Sequence, residues 1–240
     1  MTQHQQLSNQ AMGYDRTSIM FSPDGRLLQV EYAKKTVKQG TSALGLVCGD
    51  GVLLVADKRI FDKLMVAKTV EKVFQIDNHI AATASGIISD GRVLVERAQI
   101  LAQQHNVTFD SPIDVQTLVK EICNVKQMYT QVGGARPFGV SLLFAGVEED
   151  GSQKLFVTDP TGIFFEFKAT AIGEADTELK DILESEYKEG MSINDGIKLC
   201  TRALKKVLGK EFDVGRLDGG YVSLKDRKFK RLTPNDFKVK

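Results

Sequence analysis

Two short stretches near the start of the chain carry the side chains most able to do chemistry. Tyr14-Asp15-Arg16 sets a phenol, a carboxylate and a guanidinium side by side. Ser22-Pro23-Asp24-Gly25 is turn chemistry: Pro23 fixes its φ, Asp24 can bond its own backbone, and Gly25 tolerates positive φ. Elsewhere the reactive types are scattered. His4, His79 and His105 have no metal-ligand spacing. There is no Cys-x-x-Cys, no P-loop, and no Gly-x-Gly-x-x-Gly following a strand. Gly133-Gly134-Ala135-Arg136-Pro137 reads as a loop and not as a phosphate cradle. Cys48, Cys123 and Cys200 are odd in number, far apart and set in apolar patterns, so they read as buried free thiols in a reducing compartment.

The elements that must position these residues can be read from the hydrophobic pattern. Arg26 to Lys38 predicts an amphipathic helix, closed by Gly40. Strands are expected at Thr41 to Cys48 and Gly51 to Asp57 around the Gly49-Asp50 turn, at Val73 to Ile76, and at His79 to Ala84. A short strand at Lys63 to Ala67 is a further expectation. Helices follow at Ile88 to His105 and from Ser111, with Ser111 as N-cap, Pro112 in the first turn and a stripe of Val115, Leu118, Ile122, Val125 and Tyr129. Val140 to Val147 is a buried strand. Leu155 to Thr158 and Ile163 to Phe167 form a hairpin, which Ala169 to Ile172 extends. Helices over Thr177 to Lys188 and Ser192 to Leu208 precede two final strands at Tyr221 to Leu224 and Lys228 to Leu232, then a polar tail. Strands, two helices, strands, two helices, strands: runs of each type argue α+β and a four-layer αββα sandwich with an additional N-terminal helix.

With 240 residues and 42% hydrophobic content, the chain can bury a full core. Residues 1–12 are polar and Gln-rich, which predicts a flexible tail ahead of one domain spanning 13–240. A net charge of +1 gives no argument for a nucleic-acid or anionic-membrane partner. No apolar run reaches membrane-span length, and the N-terminus lacks the plan of a signal peptide, which points to the cytoplasm. No metal or other cofactor is implied.

The stretch Gly13 to Ala33, with its YDR, FSPDGRL and QVEYA segments, resembles the N-terminal signature of proteasome α-type subunits, and the similarity in pattern extends from about Gly13 to Leu224. The resemblance implies the fold of the N-terminal nucleophile hydrolases. It implies a subunit of the outer, seven-membered rings of the barrel-shaped protease. Such a ring stacks on β-type catalytic subunits, gates the entry of unfolded protein substrates, and docks an ATPase activator through the activator's C-terminal tails. Under that reading residues 1–12 are the gate, and Tyr14, Asp15, Pro23 and Tyr32 form the cluster that holds it open. Gly40, Lys72 and Ile87 line the activator-docking pocket between neighbouring subunits, with the Lys72 ammonium facing a terminal carboxylate. Gly133, Gly134 and Arg136 belong to the loop that constricts the pore. A compact C-terminus suggests a homomeric, archaeal-type ring.

The β-type relatives share the fold and carry an N-terminal threonine nucleophile, and Thr41, Asp57 and Lys72 fall where their threonine, acidic residue and lysine lie. Three departures argue against activity. The Gly-Ser-Gly-Ser run is replaced by Gly173-Glu174-Ala175-Asp176, and the late Asp-x-x-Ser-Gly by Gly215-Arg216-Leu217-Asp218-Gly219. The forty residues before Thr41 are organised, unlike a throwaway propeptide. In an intact chain the Thr41 nitrogen is an amide and cannot act as a base. A threonine hydrolase matured by cleavage before Thr41, and a free-standing monomeric binding module, stand as the alternatives.

Overall fold

The computed structural model describes residues 12–60, 62, 64–66 and 69–238. The elements, in order, are α1 (Leu28–Gln39), β1 (Ala43–Cys48), β2 (Gly51–Asp57), β3 (Val73–Asp77), β4 (Ile80–Gly86), α2 (Ile88–Phe109), α3 (Val115–Met128), β5 (Val140–Val147), β6 (Gln153–Thr158), β7 (Phe164–Glu166), β8 (Ala169–Ile172), α4 (Asp176–Glu186), α5 (Ile193–Leu208), β9 (Leu217–Ser223) and β10 (Phe229–Arg231).

These strands build two antiparallel five-stranded sheets, ordered β10-β9-β2-β1-β8 and β3-β4-β5-β6-β7. The continuous apolar runs explain why both faces of each sheet are covered: β2 and β5 are buried along their whole lengths. Alternate residues of these strands feed three apolar clusters, one between the sheets and one outside each. Leu54, Ala56, Ala81, Leu143 and Leu155 meet between the sheets. Leu94, Ala98, Leu118 and Ile122 of α2 and α3 pack on the outer face of the second sheet. Leu179, Leu183, Ile197, Cys200 and Leu204 of α4 and α5 pack on the outer face of the first. The result is an αββα sandwich, with α1 lying beside β4 and β5 through Val30, Ala33 and Val37. The three cysteines are free and buried.

Several boundaries differ from the sequence expectation, each for a tertiary reason. α1 begins at Leu28, not Arg26, because Leu27 is held extended in a bridge to Phe21. α3 begins after Asp114, whose Oδ1 accepts from Thr117 N, and not after Ser111. Ile113 is drawn into the core, its carbonyl takes His79 Nε2 at 2.8 Å, and Glu148 accepts from Val115 N, so the first turn starts later. The buried stripe of α3 runs through Val119, Cys123 and Lys126, leaving Val125 half-buried and Tyr129 on the surface. Residues 64–66 form a turn, not a strand; 63 and 67 lie outside the described residues, as do residues 1–11 of the expected tail. Phe237, in the polar C-terminal tail, is 1% exposed and packs beneath Gly219.

Candidate functional site

The ends of α1, β2 and β4 and the start of β3 converge on one corner. Gly40 closes α1 in an extended conformation, so its value is not a left-handed cap. It permits close approach: a Cβ there would lie 2.1 Å from Gly86 N. On the opposite side, a Cβ on Gly173 would lie 2.8 Å from Thr41 O and from Ser42 Cα. The Gly40-Thr41 peptide is therefore pressed between two backbones, and Gly40 O accepts from Glu174 N at 2.8 Å.

Lys72 enters this corner from the residue before β3. Its Nζ donates to Thr41 O at 2.9 Å and to Asp57 O at 3.1 Å, and only 3% of the residue is exposed. It is thus a buried group and not a surface lysine. Burial pushes the ammonium down to about 7, against the opposing pull of Asp57. Ser85 Oγ also donates to Thr41 O, at 2.9 Å. Ile87, half-buried, follows Gly86 and donates its N–H to Gly139 O. Gly40, Lys72 and Ile87 are accordingly brought to one corner: Gly40 through Gly86, and Lys72 through Thr41.

The Asp57 carboxylate, 0% exposed, acts on Lys72 through space and is not bonded to it. It is taken by Arg216, whose Nε reaches Oδ1 at 3.0 Å and whose second nitrogen reaches Oδ2 at 2.7 Å, while Arg59 N also donates to Oδ1. The bidentate guanidinium occupies both carboxylate oxygens. Arg216 was visible in the sequence only as a departure from a serine-containing pattern. Its partner lies 159 residues away, so nothing local announced the pair.

In the N-terminal stretch, Tyr32 Oη of α1 donates to Asp15 Oδ2 at 3.3 Å, and Gln29 Nε2 donates to Asp15 O at 2.6 Å. Tyr14 is half-buried beside them. Pro23 sits apart, on the exposed turn that Gly25, with φ of 71°, closes by donating to Ser22 O.

The loop between α3 and β5 reaches the same stretch. Ser18 Oγ donates to Val132 O, and Ile19 is the neighbour of Gly133. Gly134 has a φ of 82°. Arg136 lies over Asp90 in the first turn of α2, with nitrogen–oxygen distances of 2.6 and 2.8 Å. Asp90 also accepts from Gly139 N. Burial pushes the Asp90 carboxyl up, but Arg136 and Gly139 N outweigh it and hold the group below its ordinary value. Asp90 was missed in the sequence. The signal was topological: Asp90 and Arg136 flank the ends of β4 and β5, which pair as Gly86↔Val140. Among the described residues no group of His, Cys, Asp and Glu could hold a metal ion.

The comparisons with known proteins bear on both halves of this arrangement. Residues 37–218 match the family model described as Proteasome subunit, and residues 14–35 match the model of the N-terminal signature of A-type proteasome subunits. The chain belongs to the α-type subunits of the proteasome. It is similar to the proteasome alpha subunit of Methanosarcina acetivorans, 49% identical over 94% of this chain and 91% of the relative. The proteasome alpha subunit of Archaeoglobus fulgidus is 48% identical over 95% of this chain and 92% of that protein. That of Methanopyrus kandleri is 52% identical over 85% and 83%. In this α-type subunit the signature covers the Asp15–Tyr32 contact and most of α1, while the larger match covers the Lys72 corner and the sandwich as far as the start of β9. Among the described residues no helix is long and apolar enough to cross a membrane.

Proposed function

We propose that this α-type subunit is non-catalytic, forms the outer seven-membered ring of the 20S core, gates substrate entry with residues 1–12, and docks the C-terminal tails of an ATPase activator at Gly40, Lys72 and Ile87. In that role it supports ATP-dependent protein degradation in the cytoplasm. The observation that carries the docking reading is the Lys72 ammonium, buried against two carbonyls at the corner where Gly40 and Gly86 meet. An ammonium held by neutral dipoles has capacity left for a carboxylate.

The same corner argues against the threonine-hydrolase alternative. Cleavage before Thr41 would sever a peptide whose carbonyl is held by Glu174 N, and the Asp57 carboxylate is already committed to Arg216. The Asp15–Tyr32 bond supports a gate-anchoring role by tying the stretch that follows residues 1–12 to α1. The contacts of Ser18 and Ile19 with the loop carrying Gly133, Gly134 and Arg136 support a shared role at the pore.

The test is activator-stimulated peptide hydrolysis by the particle assembled with β-type partners. Lys72→Ala is expected to abolish stimulation while native mass shows intact rings; stimulation at the wild-type level overturns the docking assignment. Deleting residues 2–12 is expected to raise basal hydrolysis. A full-length monomer in native mass measurement would remove the ring, and a chain beginning at Thr41 would restore the hydrolase.

A further inference from the structure

We propose that the Lys72 corner is a proton-linked carboxylate site: it takes up a proton when an acidic peptide end binds, so that docking weakens as the medium turns alkaline. This rests on the docking reading above and adds a regulation to that site.

The argument starts from what faces the ammonium. Lys72 is 3% exposed, and its Nζ donates to two main-chain carbonyls, Thr41 O and Asp57 O. Among the described residues, each carboxylate near it contacts a guanidinium. At the end of β2, Asp57 is held by Arg216, which also reaches Glu211 at 3.4 Å. Beyond β2, Arg59 pairs with Glu174 of the segment before α4. On β9, Asp218 accepts the Lys72 and Val73 N–H groups and faces Arg231 at 3.1 Å, and Arg231 in turn reaches Glu71. β4 brings no ionisable group to the corner: Thr83 Oγ1 donates to Lys72 O at 2.8 Å, Ser85 Oγ serves Thr41 O, and Gly86 lies against Gly40, while α1 keeps Lys38 on its exposed side. Among the described residues no carboxylate is bonded to the ammonium, and the through-space pull of Asp57 and Glu174, each shared with a guanidinium, offsets only part of the desolvation.

Such a group gives up its proton readily, and burial brings Lys72 to about 7. A carboxylate arriving beside it supplies the missing counter-charge and pulls the proton back. The competent, protonated fraction then sets the apparent affinity: about nine-tenths at pH 6, about half at pH 7 and about one-tenth at pH 8. Affinity should fall about tenfold between pH 6 and pH 8, with uptake of about half a proton on binding near pH 7.

The experiment is titration calorimetry on the full-length chain assembled with its β-type partners. The probe is a synthetic peptide reproducing the C-terminal residues of the ATPase activator, as free acid and as amide. Titrations in buffers of different ionisation enthalpy give the protons taken up. The expected result is tighter binding of the acid than of the amide, proton uptake near pH 7, and the tenfold loss by pH 8. Lys72→Arg, charged at every pH used, should bind the acid without uptake and with flat pH dependence. If that variant does not assemble, the wild-type slope and uptake decide the matter alone. Binding of the acid with no uptake and no slope overturns the proton linkage and leaves docking standing. Equal binding of acid and amide, or none, overturns the docking reading and this proposal together.

Discussion

Lys72 and Lys126 are both ammonium groups taken out of water, and the way each is held separates the proposed docking site from a strut. Lys72 lies at a rim where three chain segments meet, beside the partly exposed Arg59 and Glu174 side chains. Lys126 is 0% exposed, on the inner stripe of α3, where its Nζ donates to Val140 O and to Thr158 Oγ1, both at 3.0 Å. Burial lowers both, Lys72 to about 7 and Lys126 to about 8. The same physics thus acts on two groups with different prospects. At the rim, an outside carboxylate can complete the solvation that burial removed. In the helix–sheet core, the three-way tie of α3, β5 and β6 is already the whole environment.

The contrast can be broken by substitution. Lys126→Ala leaves a cavity under α3 and strips Val140 O of a donor, so it should cost about 3 kcal/mol or more of unfolding free energy, measured by denaturant midpoint at fixed protomer concentration. Lys72→Ala should cost less, about 1–2 kcal/mol, because Ser85 Oγ continues to serve Thr41 O. A larger loss at Lys72 would reverse the assignment of site and strut.

pH sharpens the same comparison. A lysine whose folded pKa is lowered is neutral when folded and protonated when unfolded across the window between the two values. The unfolded chain binds more protons there, so stability rises with pH. The window opens near pH 7 for Lys72 and near pH 8 for Lys126, and closes near the ordinary lysine value of 10.5 for both. Lys126→Met should flatten the rise above pH 8 by up to about 1.4 kcal/mol per pH unit, and Lys72→Met should flatten it from pH 7 upward. Unchanged slopes would mean that both groups stay charged in the fold. In the hydrolysis assay, Lys126→Met should leave activator stimulation intact where Lys72→Ala removes it.

Two glycines extend the comparison, and the smallest effect of all is expected at Gly133. Gly40→Ala forces a Cβ to within 2.1 Å of Gly86 N, and should cost about 1–3 kcal/mol by displacing backbone. Gly133→Ala meets nothing nearer than Ile19 Cδ1 at 3.8 Å and should stay within about 0.5 kcal/mol.

Much of the fold was legible because apolar runs bounded by turn residues leave little freedom. β2, β5 and β8 begin and end where the pattern places them. α5 also starts on schedule, with Ser192 accepting from Asp195 N. Where the reading failed, a distant residue had overruled a local preference. Ser111 is a good cap in isolation, but Glu148 and His79, brought in by the second sheet, moved the helix start to Asp114. The expected stripe carried Tyr129 and left out Lys126, because a lysine's burial depends on acceptors that local periodicity does not reveal. Phe237 reads as part of a polar tail, and its pocket exists only once β9 has exposed Gly219 to it.

The sequence by itself determined the order of layers and the family signature at Gly13 to Ala33, because hydrophobic period and turn chemistry are local properties. Only the tertiary structure decided which carboxylate meets which guanidinium, and that Lys72 ends buried against carbonyls instead of exposed to solvent. Charges pair across distances in the chain that no window spans, and burial is settled by what the rest of the molecule lays over a residue.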